Sequence, residues 1–120
     1  MSQQQDNLIE RGWVRSTIRM LIPLNKQSEA LEILSGVSGQ VQFEPGCISS
    51  RLYRGADEAR AIMIEDHWKS DQDILLHLQS DTYQQILLVM EMAEEPPDIR
   101  FDTIEHWGGV EVIEKARRQG

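Results

Sequence analysis

Cysteine is almost absent from this chain: Cys47 stands alone. One thiol excludes an internal disulfide and any cysteine-based zinc or iron–sulfur site, and it fits a reducing compartment. Long apolar runs are absent too. No window approaches the ~18 apolar residues of a membrane-crossing helix. The polar start MSQQQDNLIERG shows no apolar stretch behind a basic one, so no secretory signal is read there. Basic residues are scarce, with 12 Lys and Arg against 20 Asp and Glu. Residues 1–60 hold seven of each sign, so the whole acidic excess falls in residues 61–120. Nucleic acid and anionic membrane both demand a basic surface, and neither is expected as a partner. The glycine-rich fingerprint of a dinucleotide site is also missing. These absences describe a cytoplasmic protein.

What is present is a periodicity that changes along 120 residues, a length suited to one domain. Residues 1–12 are polar and read as a flexible arm ahead of a single domain over 13–118. At 13–22, WVRSTIRMLI alternates apolar and polar residues, as a strand does. Pro23 ends it, and Asn25 is the expected N-cap of a helix carrying Ala30, Ile33, Leu34, Val37 and Val41 at helical spacing. The EPG turn at 44–46 opens a second strand over 47–54, and GADEA connects it to a third over 60–68. Ser70 caps a short helix, and Ser80 or Asp81 starts another running to about Met92. EEPPD breaks that helix. A fourth strand over 98–107 and a closing helix over 109–118 complete the chain.

The order β-α-β-β-α-β with an extra C-terminal helix predicts an α+β, ferredoxin-like fold. One face of its sheet would carry Val14, Ile18, Met20, Ile48, Leu52, Ile62 and Ile64 under the helices. The other would carry Trp13, Thr17, Leu21, Tyr53 and Met63 among Arg15, Arg19, Arg51 and Glu65. So many large apolar groups suit a face that meets a second copy of itself.

Three short motifs in this order are Pro45-Gly46-Cys47, Asp66-His67-Trp68 and His77-Leu78-Gln79-Ser80. With the four strands, they resemble the antibiotic-biosynthesis monooxygenase family over roughly residues 13–118. The resemblance implies a homodimeric α+β barrel, two sheets packed face to face, with a small apolar pocket between each sheet and its helices. It also implies oxygenation of a quinol or polyphenolic aromatic by O2 without metal or flavin. The alternative is a non-enzymatic dimeric binding module for a small aromatic metabolite.

The site residues follow from chemistry and the resemblance together. Asp66 shares a strand face with Trp68, and a carboxylate beside an apolar pocket has its pKa raised into a range useful for a base. His77 lies among leucines and is the other candidate base; a satisfied core histidine would look the same in sequence. Trp68, Tyr83 and Ser80 are expected to bound the substrate, although Trp68 and Tyr83 also suit plain packing. His67 and His106 share no helical spacing with another ligand, so no metal site is read. The heme-degrading relatives carry an iron-binding His where this chain has Leu87 and a Trp where it has His77. They also carry an Asn in the first strand, which is missing here, so no heme is expected.

Overall fold

The computed structural model describes residues 13–119, which leaves the arm over 1–12 outside the described residues. Strand β1 (Trp13–Leu21) leads through a 3-10 turn (Leu24–Lys26) into helix α1 (Gln27–Val41). Strands β2 (Cys47–Arg54) and β3 (Ala61–Trp68) follow, then helices α2 (Asp71–Leu78) and α3 (Asp81–Met90). Strand β4 (Asp98–Ile104) and helix α4 (Val110–Gln119) close the described chain. The four strands form one antiparallel sheet in the order β2-β3-β1-β4. This is the α+β, ferredoxin-like arrangement that the periodicity predicts.

The register lays out the helix-facing side in rows. Leu52, Ile64, Ile18 and Ile99 make one row, and Ser50, Asp66, Ser16 and Phe101 the next. Cys47, Trp68, Val14 and Thr103 make the third. Helix α1 packs against α3 and β2, burying Ala30, Leu34, Val37 and Val41. That burial offsets the helical cost of Gly36 and Gly39, about 1 kcal/mol each. The helices leave the β4 column open, so Ile99 and Phe101 stay exposed. Beside them an apolar groove of about 270 Å³ runs between β4 and α2, lined by Val14, Ile74, Leu75, Leu78, Phe101 and Thr103.

Three local expectations are corrected. Asn25 does not cap α1: it sits in the 3-10 turn, and no side chain caps the helix at Lys26. The helix begins at Gln27, whose buried amide donates to the Ile22 and Ala59 carbonyls. Ile48 does not join the core row, because a bulge between Cys47 and Ser49 makes it the extra residue and leaves it half-buried. Strand β4 stops at Ile104, short of 107. Ile104 pairs with Trp13, the first described residue, so among the described residues 105–107 have no strand beside them, and Trp107 is exposed.

The other side of the sheet is more charged than the strand parity of β1 to β3 suggests. Strand β4 adds Asp98, Arg100 and Asp102 to it, around a concavity of about 410 Å³ with Arg15, Arg19 and Glu65. Arg15 pairs with Asp102 at 3.4 Å. Trp13 and Tyr53 remain about half-exposed at its margins.

Glycine is required at one turn. Gly46 has φ +79°, and an added Cβ would collide with the Asp73 carboxyl. Gly46→Ala therefore combines left-handed backbone strain of about 1–2 kcal/mol with displacement of Asp73. A thermal midpoint lowered by several degrees is expected, measured by calorimetry.

Candidate active site

The site is assembled by two serine caps and the Gly46 turn. Ser70 opens α2, accepting the Asp73 N–H at 3.2 Å and donating to Asp73 Oδ2 at 2.8 Å. Lys69 N–H bonds to the Gly46 carbonyl at 2.9 Å, tying the turn to the end of β3. One helical turn beyond the cap, Ile74 and His77 share the buried side of α2. Ser80 then opens α3. Its hydroxyl donates to the His77 carbonyl at 2.7 Å and accepts the Tyr83 N–H at 3.2 Å. Ser80 is thus spent on backbone groups at the α2–α3 corner.

Those constraints bring Trp68, His77 and Tyr83 together. The His77 ring lies over Trp68 at 4.7 Å between centroids, with planes 30° apart. Tyr83 meets the same imidazole edge-on at 5.2 Å. Trp68 is 0% exposed, His77 2% and Asp66 3%, so the cluster is interior. His67 points to the opposite side of the sheet, toward Glu65 and Ser49.

Two carboxylates flank the imidazole. His77 Nδ1 is 2.9 Å from Glu44 Oε1, and His77 Nε2 is 3.7 Å from Asp66 Oδ2. The first is a hydrogen bond, and the second is too long for one. Burial pushes the Asp66 carboxyl up to about 6; the Ser50 hydroxyl and His77 pull it back, while Glu44 and Glu65 push it further up. Ser50 is itself held by Ser38, the two hydroxyls lying 2.9 Å apart. Tyr83 is raised as well, by burial and then by Asp66. The Cys47 thiol is pushed up to about 11 by burial, Asp66 and Glu44. It stays protonated at neutral pH and is no nucleophile.

Four buried side-chain atoms of this cluster have no hydrogen-bond partner among the described residues: Glu44 Oε2, Asp66 Oδ1, Trp68 Nε1 and His77 Nε2. Buried polar atoms without partners cost about 1–3 kcal/mol each, and such costs concentrate at functional sites. The set combines one N–H donor with acceptors, which matches a hydroxyl group that both accepts and donates.

Glu44 is the residue that sequence reasoning missed, having been read only as the start of a turn. It lies 33 positions before His77, and no local period links them. No group of side chains suited to a metal ion occurs among the described residues.

A family model described as antibiotic biosynthesis monooxygenase matches residues 14–87. No match was found among curated proteins. Among solved structures, a conserved protein from Methanosarcina mazei Go1 has a TM-score of 0.74 at 18% identity, covering 80% of this chain and 96% of its own. Rv0793 from Mycobacterium tuberculosis has a TM-score of 0.72 at 19% identity, covering 81% and 100%. A crystal structure described as an antibiotic biosynthesis monooxygenase has a TM-score of 0.71 at 10% identity, covering 78% and 99%. At these identities the structural likeness speaks for the fold.

Proposed function

The chain belongs to the antibiotic biosynthesis monooxygenase family, and from that premise we propose that it oxygenates a quinol or polyphenolic aromatic with O2, without metal or flavin. The observation that carries this reading is the interior imidazole between two carboxylates, with its Nε2 unpartnered beside Asp66. A phenolic substrate asks little of a protein. His77 or Asp66 takes the hydroxyl proton, and the resulting anion passes one electron to O2. The aryloxyl radical and superoxide then join, forming a C–O bond at a ring carbon that still bears hydrogen. Breaking the O–O bond removes that hydrogen and one oxygen as water, the departing hydroxide being protonated by the acid formed in the first step. The ring carbon is left as a carbonyl. Trp68 and Tyr83 pack against the imidazole and keep its surroundings dry, which protects the radical pair. Ser80 contributes by fixing the corner that carries both His77 and Tyr83.

The test is O2 consumption with a panel of quinols under metal chelation, using ¹⁸O2. One labelled oxygen in the product and one in water is the expected result. Uptake no faster than with heat-denatured protein would sink the reading. The apolar groove beside β4 favours a second reading, a binding module for a small aromatic metabolite. Saturable binding without O2 uptake would support it.

The same proposal includes a homodimer through the open side of the sheet. Arg15, Arg19 and Arg100 alternate there with Glu65, Asp98 and Asp102, so a second copy, rotated, can set each sign against its opposite. Light scattering at micromolar concentration is expected to give twice the 13.8 kDa chain mass. The mass of one chain would remove the dimer.

A further inference from the structure

We infer that Glu44 is the positioning residue of this site: it fixes the His77 ring with hydrogen on Nδ1, which makes Nε2 the nitrogen that takes a proton from a ligand hydroxyl. The chemical use of that proton rests on the function proposed above, whereas the orientation of the ring does not.

An ionised carboxylate only accepts hydrogen bonds, so the 2.9 Å contact requires hydrogen on Nδ1. Glu44 is well placed to impose this. Its own N–H bonds to the Val41 carbonyl at 2.9 Å, and its carbonyl accepts the Cys47 N–H at 3.1 Å. The left-handed Gly46 and the Lys69 bond then lock the turn against β3. Glu44 enters from the loop before β2, Asp66 from β3 and Tyr83 from α3, with Cys47 opposite Trp68 and Ser50 opposite Asp66 in the neighbouring strand.

With Nδ1–H committed, the other nitrogen has a defined task. Nε2 and Asp66 Oδ2 lie 3.7 Å apart, and two bare acceptors at that distance would repel. A protonated Asp66 relieves that repulsion by turning its hydrogen toward Nε2, and once Asp66 is ionised both atoms are open to accept from a ligand. A phenolic or enolic hydroxyl offered here donates to Nε2 or to Asp66 Oδ1 and accepts from Trp68 Nε1, all three of which lack partners among the described residues. The arrangement selects an acidic hydroxyl over a carbonyl or an amine, because a carbonyl has no proton to give and an ammonium cannot accept.

The test reads the tautomer directly, by long-range ¹H–¹⁵N correlation of the ¹⁵N-labelled full chain across a pH series. Hydrogen on Nδ1 is expected in the wild type. Glu44→Gln keeps it, since the amide oxygen still accepts, and Glu44→Ala moves it to Nε2. In O2 uptake, Glu44→Ala should lower kcat about 10- to 100-fold with KM nearly unchanged, and Glu44→Gln should recover part of the loss. Hydrogen on Nε2 in the wild type, or a tautomer unchanged in Glu44→Ala, overturns the inference. Should no quinol drive O2 uptake, the proposed oxygenation fails while the tautomer still decides the role of Glu44.

Discussion

His77→Ala is expected to abolish quinol-dependent O2 uptake and also to lower the thermal midpoint by several degrees. The two effects share one cause. The imidazole is 2% exposed, stacked on Trp68 and bonded to Glu44, so its loss opens a void and strands a half-buried carboxylate. Stranding a polar group alone costs about 1–3 kcal/mol. In a domain of this size each kcal/mol moves the midpoint by roughly 3–6 °C. A stability loss therefore cannot separate chemistry from packing, and a second substitution must. His77→Asn offers an amide N–H to Glu44 and fills much of the space, but it has no basic nitrogen. It should restore most of the midpoint and none of the uptake. Full uptake in His77→Asn would make the ring a structural piece and leave Asp66 as the base.

Asp66→Asn should stabilise the fold at pH 8 and leave it nearly unchanged at pH 4. The Asp66 carboxyl titrates at about 6 in the folded chain against an ordinary value of 3.8. The folded state therefore binds this proton more tightly than the unfolded state does. Its stabilising contribution is complete below about pH 4 and is lost as pH rises through about 6. A shift of this size corresponds to something on the order of 2–3 kcal/mol, because each pH unit is worth about 1.4 kcal/mol. Asparagine carries no charge at either pH, so it escapes the penalty that burial places on the carboxylate. Calorimetry of both proteins across this range checks it. A midpoint difference that does not change with pH would show that burial of the charge is not what raises the carboxyl.

Much of this architecture is legible in the chain itself. The alternation in β1 and β3 and the helical spacing from Ala30 to Val41 are local signals, and each produced its element. The grouping of Trp68, His77 and Tyr83 was legible for the same reason, since Ser70 and Ser80 fix two short helices in sequence. What escaped was decided between strands or across loops. Ile48 leaves the core row because β2 must match β3, and β4 ends opposite Trp13, the first described residue. Asn25 has the right chemistry for a cap, but buried Gln27 anchors to the β2–β3 connection and sets the start of α1 instead. Glu44 reaches His77 only because the Gly46 turn folds back on β3.

Helix α4 buries none of its ten residues, and Val110 and Ile113 face outward. Ten residues are too few to hold a helix in water by their own hydrogen bonds. The chain thus carries two clocks. Amides of β1 and β3 are expected to exchange with deuterated solvent only when the whole domain opens and those of α4 on the time of helix fraying, and trypsin is expected to cut at Lys115, Arg117 and Arg118 before it reaches the sheet.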